Sequence, residues 1–321
     1  MCGIVGYIGP RACQEILLSG LGRLEYRGYD SSGIALVDDA GELQMRKRAG
    51  KLSVLRDDLA AHPMPDGRVG IGHTRWATHG AANDLNAHPH LSDGGKLAVI
   101  HNGIIENFVA LRDELLAEGV EVISETDTEV AAHLLGREYR RTGDLVEAFR
   151  AVVGRLEGAF TLLAVHADQP DVIVSARLNS PLVVGLGDGE NFLGSDVAAF
   201  VAHTQTAIAV GQAQMAIVRA DSVELTDFDG NPVDGEQFHI DWDASAAEKG
   251  GWSSFMAKEI SEQTETVENT LRGRIKDGRV VLGSLADLDD DFFREINRII
   301  VVACGTASYA GMTAAYAVEK W

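Results

Sequence analysis

Cys2 stands between the initiator methionine and Gly3. A small second residue favours removal of Met1, which would leave a thiol and a free α-amine on one residue. The amine, with a reference pKa of about 7.7–8.0, keeps a neutral fraction near pH 7 that can accept a proton. A thiol relieved of its proton by such a base is a strong nucleophile. The alternative for the same residue is an inert, buried cysteine. A thiolate that attacks an amide also needs donors for the developing oxyanion and groups that grip the substrate. Asn102-Gly103 can supply a side-chain amide and a close backbone N–H, or can simply be a turn. Arg75 offers a fork for a carboxylate. Asp127 can pair with an ammonium, or can serve only as a first-turn charge on a helix. Trp76 can cover a pocket or fill a core. Together these types describe a pocket for an α-amino acid with an amide side chain, namely glutamine. His73, His79, His88 and His90 match no His-Glu-x-x-His or Cys/His spacing, so no metal is expected.

The elements that must carry these residues follow from periodicity. A short buried strand is expected at residues 3–8, ended by Gly9-Pro10. Ile16, Leu17, Leu21 and Leu24 repeat at helical spacing over residues 11–26. Residues 33–37 and 43–46 flank Asp38-Asp39-Ala40-Gly41 as a β-hairpin. A helix follows at 53–61 and a strand at 69–72. Residues 73–90 read as a long irregular loop, dense in histidine, of the kind that is usually functional. A strand at 97–100 is expected to run into His101-Asn102-Gly103, and a helix to follow with Ile104, Phe108, Leu111 and Leu115 on one face, stopped by Gly119. Thr126-Asp127-Thr128-Glu129 fits a capping box ahead of a helix over 130–140, which places Asp127 in its first turn. A helix near 145–153 precedes strands near 160–165, 172–176, 182–185, 208–210, 216–218 and 223–225. Helix-rich and strand-rich halves that do not alternate favour a layered α+β domain ending near Phe238.

Residues 241–251 read as a linker. Helices are expected beyond it at 255–271 and 287–297, then an apolar strand at 299–303. Cys304-Gly305-Thr306-Ala307-Ser308 opens a further helix, an arrangement that presents N–H groups and hydroxyls to a phosphate.

The bulk numbers bound the function. A chain of 321 residues favours two domains. Hydrophobic residues at 45% and charged residues at 24% describe an ordinary globular protein. A formal net charge of −20 argues against nucleic acid and anionic membrane as partners, since both need a basic footprint. Three widely spaced cysteines (Cys2, Cys13 and Cys304) suggest no disulfide framework and a reducing compartment. No apolar run approaches the ~18 residues of a membrane helix, and no signal peptide is visible, so a cytoplasmic location is expected.

Five stretches in order carry a resemblance: Met1-Cys2-Gly3-Ile4-Val5-Gly6, residues 24–31, His73 to Gly80, His101 to Asn107, and Ser124 to Glu129. They closely resemble the glucosamine-6-phosphate synthase family, the isomerising glutamine–fructose-6-phosphate aminotransferases, and the similarity runs from end to end. The resemblance implies an N-terminal-nucleophile αββα sandwich for residues 2–240, a linker at 241–251, and the first part of an α/β sugar-isomerase (SIS) domain at 252–321. Cys2 would be the nucleophile with its own amine as base, and Asn102 and Gly103 the oxyanion hole. Arg75 would hold the carboxylate of L-glutamine and Asp127 its amine. Trp76, Thr78, His79 and Gly80 would line the site, with Arg27 and His88 in support. Cys304, Gly305 and Thr306 would lie near the phosphate of fructose 6-phosphate. Ala307 stands where many family members carry a further hydroxyl, which removes one phosphate hydrogen bond unless Ser308 replaces it. The family implies no metal or cofactor, and a homodimer at full length. The isomerase's remaining groups would lie beyond Trp321, so glutaminase chemistry is the expectation for this chain. Two rivals are another amidotransferase with an N-terminal cysteine and a non-catalytic sugar-phosphate sensor on a degenerate glutaminase domain.

Overall fold

A computed structural model of the chain describes residues 2–77, 80–241, 252, 255–276, 278–281, 283–285, 288, 290–303 and 305–320. The chain divides into two compact units, residues 1–251 and 252–321.

The first unit opens with β1 (Gly3–Ile8), α1 (Cys13–Leu24), the hairpin β2 (Ser31–Asp38) and β3 (Leu43–Ala49), α2 (Leu52–Ala61) and β4 (Gly67–Arg75). It continues with β5 (His90–Ser92), β6 (Leu97–Ile105), α3 (Phe108–Ala117), α4 (Asp127–Thr142) and α5 (Leu145–Val153). Strands then dominate: β7 (Gly158–His166), β8 (Gln169–Leu178), β9 (Val183–Leu186), β10 (Asn191–Gly194), β11 (Thr206–Ala209), β12 (Gln214–Val218), β13 (Val223–Asp227) and β14 (Glu236–His239).

These strands form two sheets, ordered β14-β11-β9-β10-β1-β4-β2-β3 and β13-β12-β8-β7-β6-β5. The pairings are antiparallel. Alternation along each strand sorts side chains to opposite faces, and the burial follows it. In β1, Val5 and Tyr7 pack with Leu17, Leu21 and Leu55 of α1 and α2. Ile4 and Ile8 instead join Ile71 of β4 and Ile100 and Leu163 of β6 and β7 in a core between the sheets. On the far side, Leu97 and Val99 of β6 pack with Leu115, Leu134 and Phe149 from α3, α4 and α5. The layers therefore run helix, sheet, sheet, helix: the αββα sandwich.

Two expectations near the site need correction. Asn102-Gly103 is not a strand-to-helix turn, because β6 continues through both residues, pairing Asn102 with Thr161 and Gly103 with Phe160. A longer partner strand, β7, satisfies that backbone, so Ile104 belongs to β6 and α3 begins only at Phe108. The loop expected at 73–90 is shorter at both ends, since His73 to Arg75 close β4 and His90 opens β5. Strands β10 and β14 were not expected at all.

The second unit has helices α6 (Phe255–Leu271), α7 (Asp290–Arg294) and α8 (Thr306–Lys320), and a ribbon of β15 (Ile275–Lys276) and β16 (Arg279–Val280). The expected strand at 299–303 pairs with no other strand among the described residues, and Ile300 and Val302 are exposed. A strand needs a neighbour to take its N–H and C=O groups, and none of the described residues supplies one. Of the described residues of the expected 287–297 helix, Asp290–Arg294 are helical. Gly305 precedes α8 and Thr306 opens it, while Cys304 lies outside the described residues. No helix among the described residues is long and apolar enough to cross a membrane.

Candidate active site

Strand alternation converges the chemistry. In β4, Val69 and Ile71 face the inter-sheet core, and the same period carries His73 and Arg75 to that side. In β6, Ala98 and Ile100 face it too, so Asn102 points toward the other sheet. The β1–β4 register pairs Gly3 with Thr74, which leaves Cys2 just off the end of β1, next to Arg75. Cys2, Arg75, Trp76, Asn102, Gly103 and Asp127 line one cavity of about 470 Å³ within the first unit.

Cys2 is half-buried. The Trp76 backbone N–H donates to its Sγ at 3.1 Å. Burial pushes the thiol pKa above its ordinary value, opposed by the Trp76 N–H and the charge of Arg75. The resting sulfur is therefore a thiol and needs a base. The Cys2 carbonyl accepts from Arg27 Nε at 3.2 Å and Asn102 Nδ2 at 3.1 Å. Asn102 Oδ1 in turn lies 2.9 Å from His73 Nε2. Gly103, at φ +124°, admits no side chain, since a Cβ there would meet the Ala159 carbonyl oxygen at 1.9 Å.

Arg75 is buried, and its Nη1 and Nη2 donate to the carbonyls of Ala81 and Gly80 at 3.2 and 3.3 Å. Gly80 thus bears on the site through Arg75 and is not among the residues lining the cavity. Thr78 and His79 lie outside the described residues. Trp76 is 48% exposed and stands edge-on to Tyr29, ring centroids 5.4 Å apart.

Asp127 opens α4. Thr126 is the N-cap, its Oγ1 accepting from the Glu129 N–H at 3.3 Å. Glu129 does not close the usual reciprocal box, because its carboxylate accepts from the N–H groups of Ile123 and Ser124. Those bonds and His133 hold its pKa down to about 2 against the cost of its burial. Asp127 is left turned into the cavity side of β6, its Oδ2 accepting from the Ile105 N–H at 2.8 Å and its Oδ1 3.7 Å from His101 Nδ1.

Several cavity residues were not singled out from sequence. Asn179, Ser180 and Pro181, between β8 and β9, form part of the wall, with Ile104, Glu106 and Ala159. Ser-Pro directly after a strand was the available signal, but a turn signal carries no direction toward a site. His73, His88, His90 and His101 are buried together beneath it. The rings of His73 and His88 lie 4.3 Å apart, tilted by 34° against each other.

An intact thiol, an amide donor, a cation and a carboxylate now share one cavity, and comparison with known proteins gives that set a family. Residues 56–228 match the family model described as glutamine amidotransferase domain. The chain belongs to the glutamine amidotransferase family. This amidotransferase chain is 65% identical over 321 residues to a glutamine--fructose-6-phosphate aminotransferase [isomerizing] of Leifsonia xyli subsp. xyli, covering 100% of this chain and 52% of that protein. It is 58% identical over the same length to the protein of that name from Streptomyces coelicolor, again covering 52% of it. The chain thus spans about half the length of the curated relatives it matches. Among solved structures it is similar to a glutamine phosphoribosylpyrophosphate amidotransferase of B. subtilis, with 27% identity and a TM-score of 0.61, over 72% of this chain and 50% of that one.

Proposed function

We propose that residues 2–240 form a glutaminase domain that hydrolyses L-glutamine to glutamate and ammonia through a thioester on Cys2. Residues 241–251 are then a linker, and 252–321 the opening part of a sugar-isomerase domain. The observation that carries the reading is the meeting of Cys2, Asn102, Arg75 and Asp127 at one cavity, with a backbone N–H already on the sulfur.

In this mechanism the α-amine of Cys2, freed by loss of Met1, takes the thiol proton. Sγ attacks the side-chain amide carbon, and the oxyanion is met by Asn102 Nδ2 and the Gly103 N–H. The amine returns its proton to the departing ammonia, and water then resolves the γ-glutamyl thioester to glutamate. Arg75 and Asp127 hold the substrate's α-carboxylate and α-ammonium, opposite charges that match the two buried side chains. Trp76 lines the cavity, Gly80 acts through Arg75, Thr78 and His79 keep the substrate-binding roles that the resemblance implies, and Arg27 and His88 are in support.

In the full-length protein the ammonia serves conversion of fructose 6-phosphate to glucosamine 6-phosphate, in a cytoplasmic homodimer, with Cys304, Gly305 and Thr306 near the sugar phosphate. The names and extent of the relatives support this half of the reading. The intact glutaminase constellation favours catalysis over a degenerate sensor. Acid quench during turnover, followed by peptide mass analysis, tests the chemistry. A γ-glutamyl adduct on the Cys2 peptide is expected, and turnover with no adduct at any time point counts against the thioester.

A further inference from the structure

The amide of Asn102 works in an oxyanion hole only with its nitrogen toward the substrate, and nothing in an asparagine side chain itself fixes which end faces which way. The surroundings do. The Cys2 carbonyl oxygen, 3.1 Å from one end of the amide and already accepting from Arg27, has no proton to give, so the atom facing it is Nδ2. The other end is then Oδ1, 2.9 Å from His73 Nε2. A carbonyl oxygen has no proton either, so Nε2 must carry one. His73 is completely buried, and that burial pushes its pKa down to about 3, so the ring is neutral and holds a single proton. Its other nitrogen, Nδ1, is buried and has no partner of hydrogen-bond geometry among the described residues, although the His101 backbone beside the ring favours its protonated form. Leaving Nδ1 bare therefore strands no donor.

We propose that His73 is a positioning residue for amide hydrolysis: its Nε2–H holds Asn102 Oδ1 and so turns Nδ2 toward Cys2 and the cavity. One Nδ2 hydrogen goes to the Cys2 carbonyl and the second is left for the oxyanion. The opposite tautomer, with the proton on Nδ1, would invite the amide to flip and set an oxygen where negative charge develops. The His88 ring, tilted 34° against His73 with centroids 4.3 Å apart, packs on its face and limits rotation, and the inter-sheet core beneath excludes the water that would otherwise let either tautomer be satisfied. This inference rests on the glutaminase reading for its catalytic consequence, but not for its geometry.

Two measurements on the full chain test it. In the ring ¹⁵N spectrum of histidine-labelled protein, the signal lost in His73→Gln identifies His73, and a neutral Nε2–H tautomer is expected; an Nδ1–H tautomer overturns the proposal whatever the turnover. In steady-state glutamate release, His73→Leu should lower kcat by about 10–100-fold, a share of the loss seen when an oxyanion donor is removed outright, with KM for glutamine changed little. His73→Gln, which offers an N–H at similar reach, should recover most of it. A loss carried by KM alone, no loss, or no recovery in His73→Gln would contradict the positioning role. Where His73→Leu fails to fold, His73→Gln and the tautomer still decide. Absence of turnover in the wild-type chain would instead defeat the glutaminase reading and leave the tautomer to judge the placement.

Discussion

At the scale of single residues, the account depends on Cys2 supplying both nucleophile and base. Burial holds its thiol above the ordinary pKa, so thiolate is scarce at neutral pH and a base is needed, the task proposed for the α-amine. A variant carrying extra residues before Cys2 keeps the thiol but blocks the amine. Its glutamate release should fall by about 10²–10⁴-fold, the range for a lost general base, with the folded state unchanged by circular dichroism; full activity would show that the base lies elsewhere. Gly103→Ala is the second residue-level test. The new Cβ would sit on the Ala159 carbonyl oxygen at a positive φ, so stability should drop by at least about 2 kcal/mol and turnover with it. A urea midpoint equal to wild type would contradict the geometry of β6. Cys2, Asn102, Arg75 and Asp127 are each ambiguous alone, and sequence singles them out only as a set and through the motifs of the family resemblance. His73 could not be given its role, since a tautomer-setting contact from β4 to β6 spans 29 residues and depends on the register of two sheets.

At the scale of elements, the segment between β4 and β5 has to be held in shape to present Trp76 and the Gly80 carbonyl. Lys47 of β3 does much of this, its half-buried ammonium donating to the carbonyls of Leu85, Ala87 and Pro89. Lys47→Met leaves three carbonyls without that donor and should cost about 1–3 kcal/mol. It should raise KM for glutamine more than it lowers kcat, as read from thermal unfolding and glutamate release; an unchanged KM would detach the segment from substrate binding. Helices α1, α4 and α6 were legible from periodicity and capping residues, α6 to both ends. β6 was truncated in the sequence reading because Asn-Gly is a turn signal, and only the pairing with β7 shows that the strand continues. β10 escaped for a related reason: Asn-Phe-Leu-Gly is too short to alternate visibly.

At the scale of the whole molecule, a block of buried histidines lies beneath the cavity, His73 on the inter-sheet side and His90 on the side of α4, where it meets Thr126. Burial lowers the pKa of His73 and His90 to about 3 and holds that of His88 well below its ordinary value. In the unfolded chain these groups take up protons near pH 6.5; in the folded chain they stay neutral down to about pH 3. Between those limits the unfolded state binds more protons, so stability falls as the pH falls. His73 and His90 together would remove roughly 4 kcal/mol between pH 7 and pH 5, with His88 acting in the same direction, read as urea midpoints at pH 7, 6 and 5; a flat profile would mean that the block is hydrated. The layered α+β class was legible from the order of helix-rich and strand-rich stretches. The pairing of strands across two sheets was not, because it joins segments such as β1 and β10 that lie nearly 190 residues apart.

The most direct test of the whole account pairs intact mass with glutamate release, for this chain and for Cys2→Ala. The mechanism requires a wild-type mass short by one methionine, release of glutamate from glutamine, and no release above background in Cys2→Ala. Turnover that survives Cys2→Ala would contradict it.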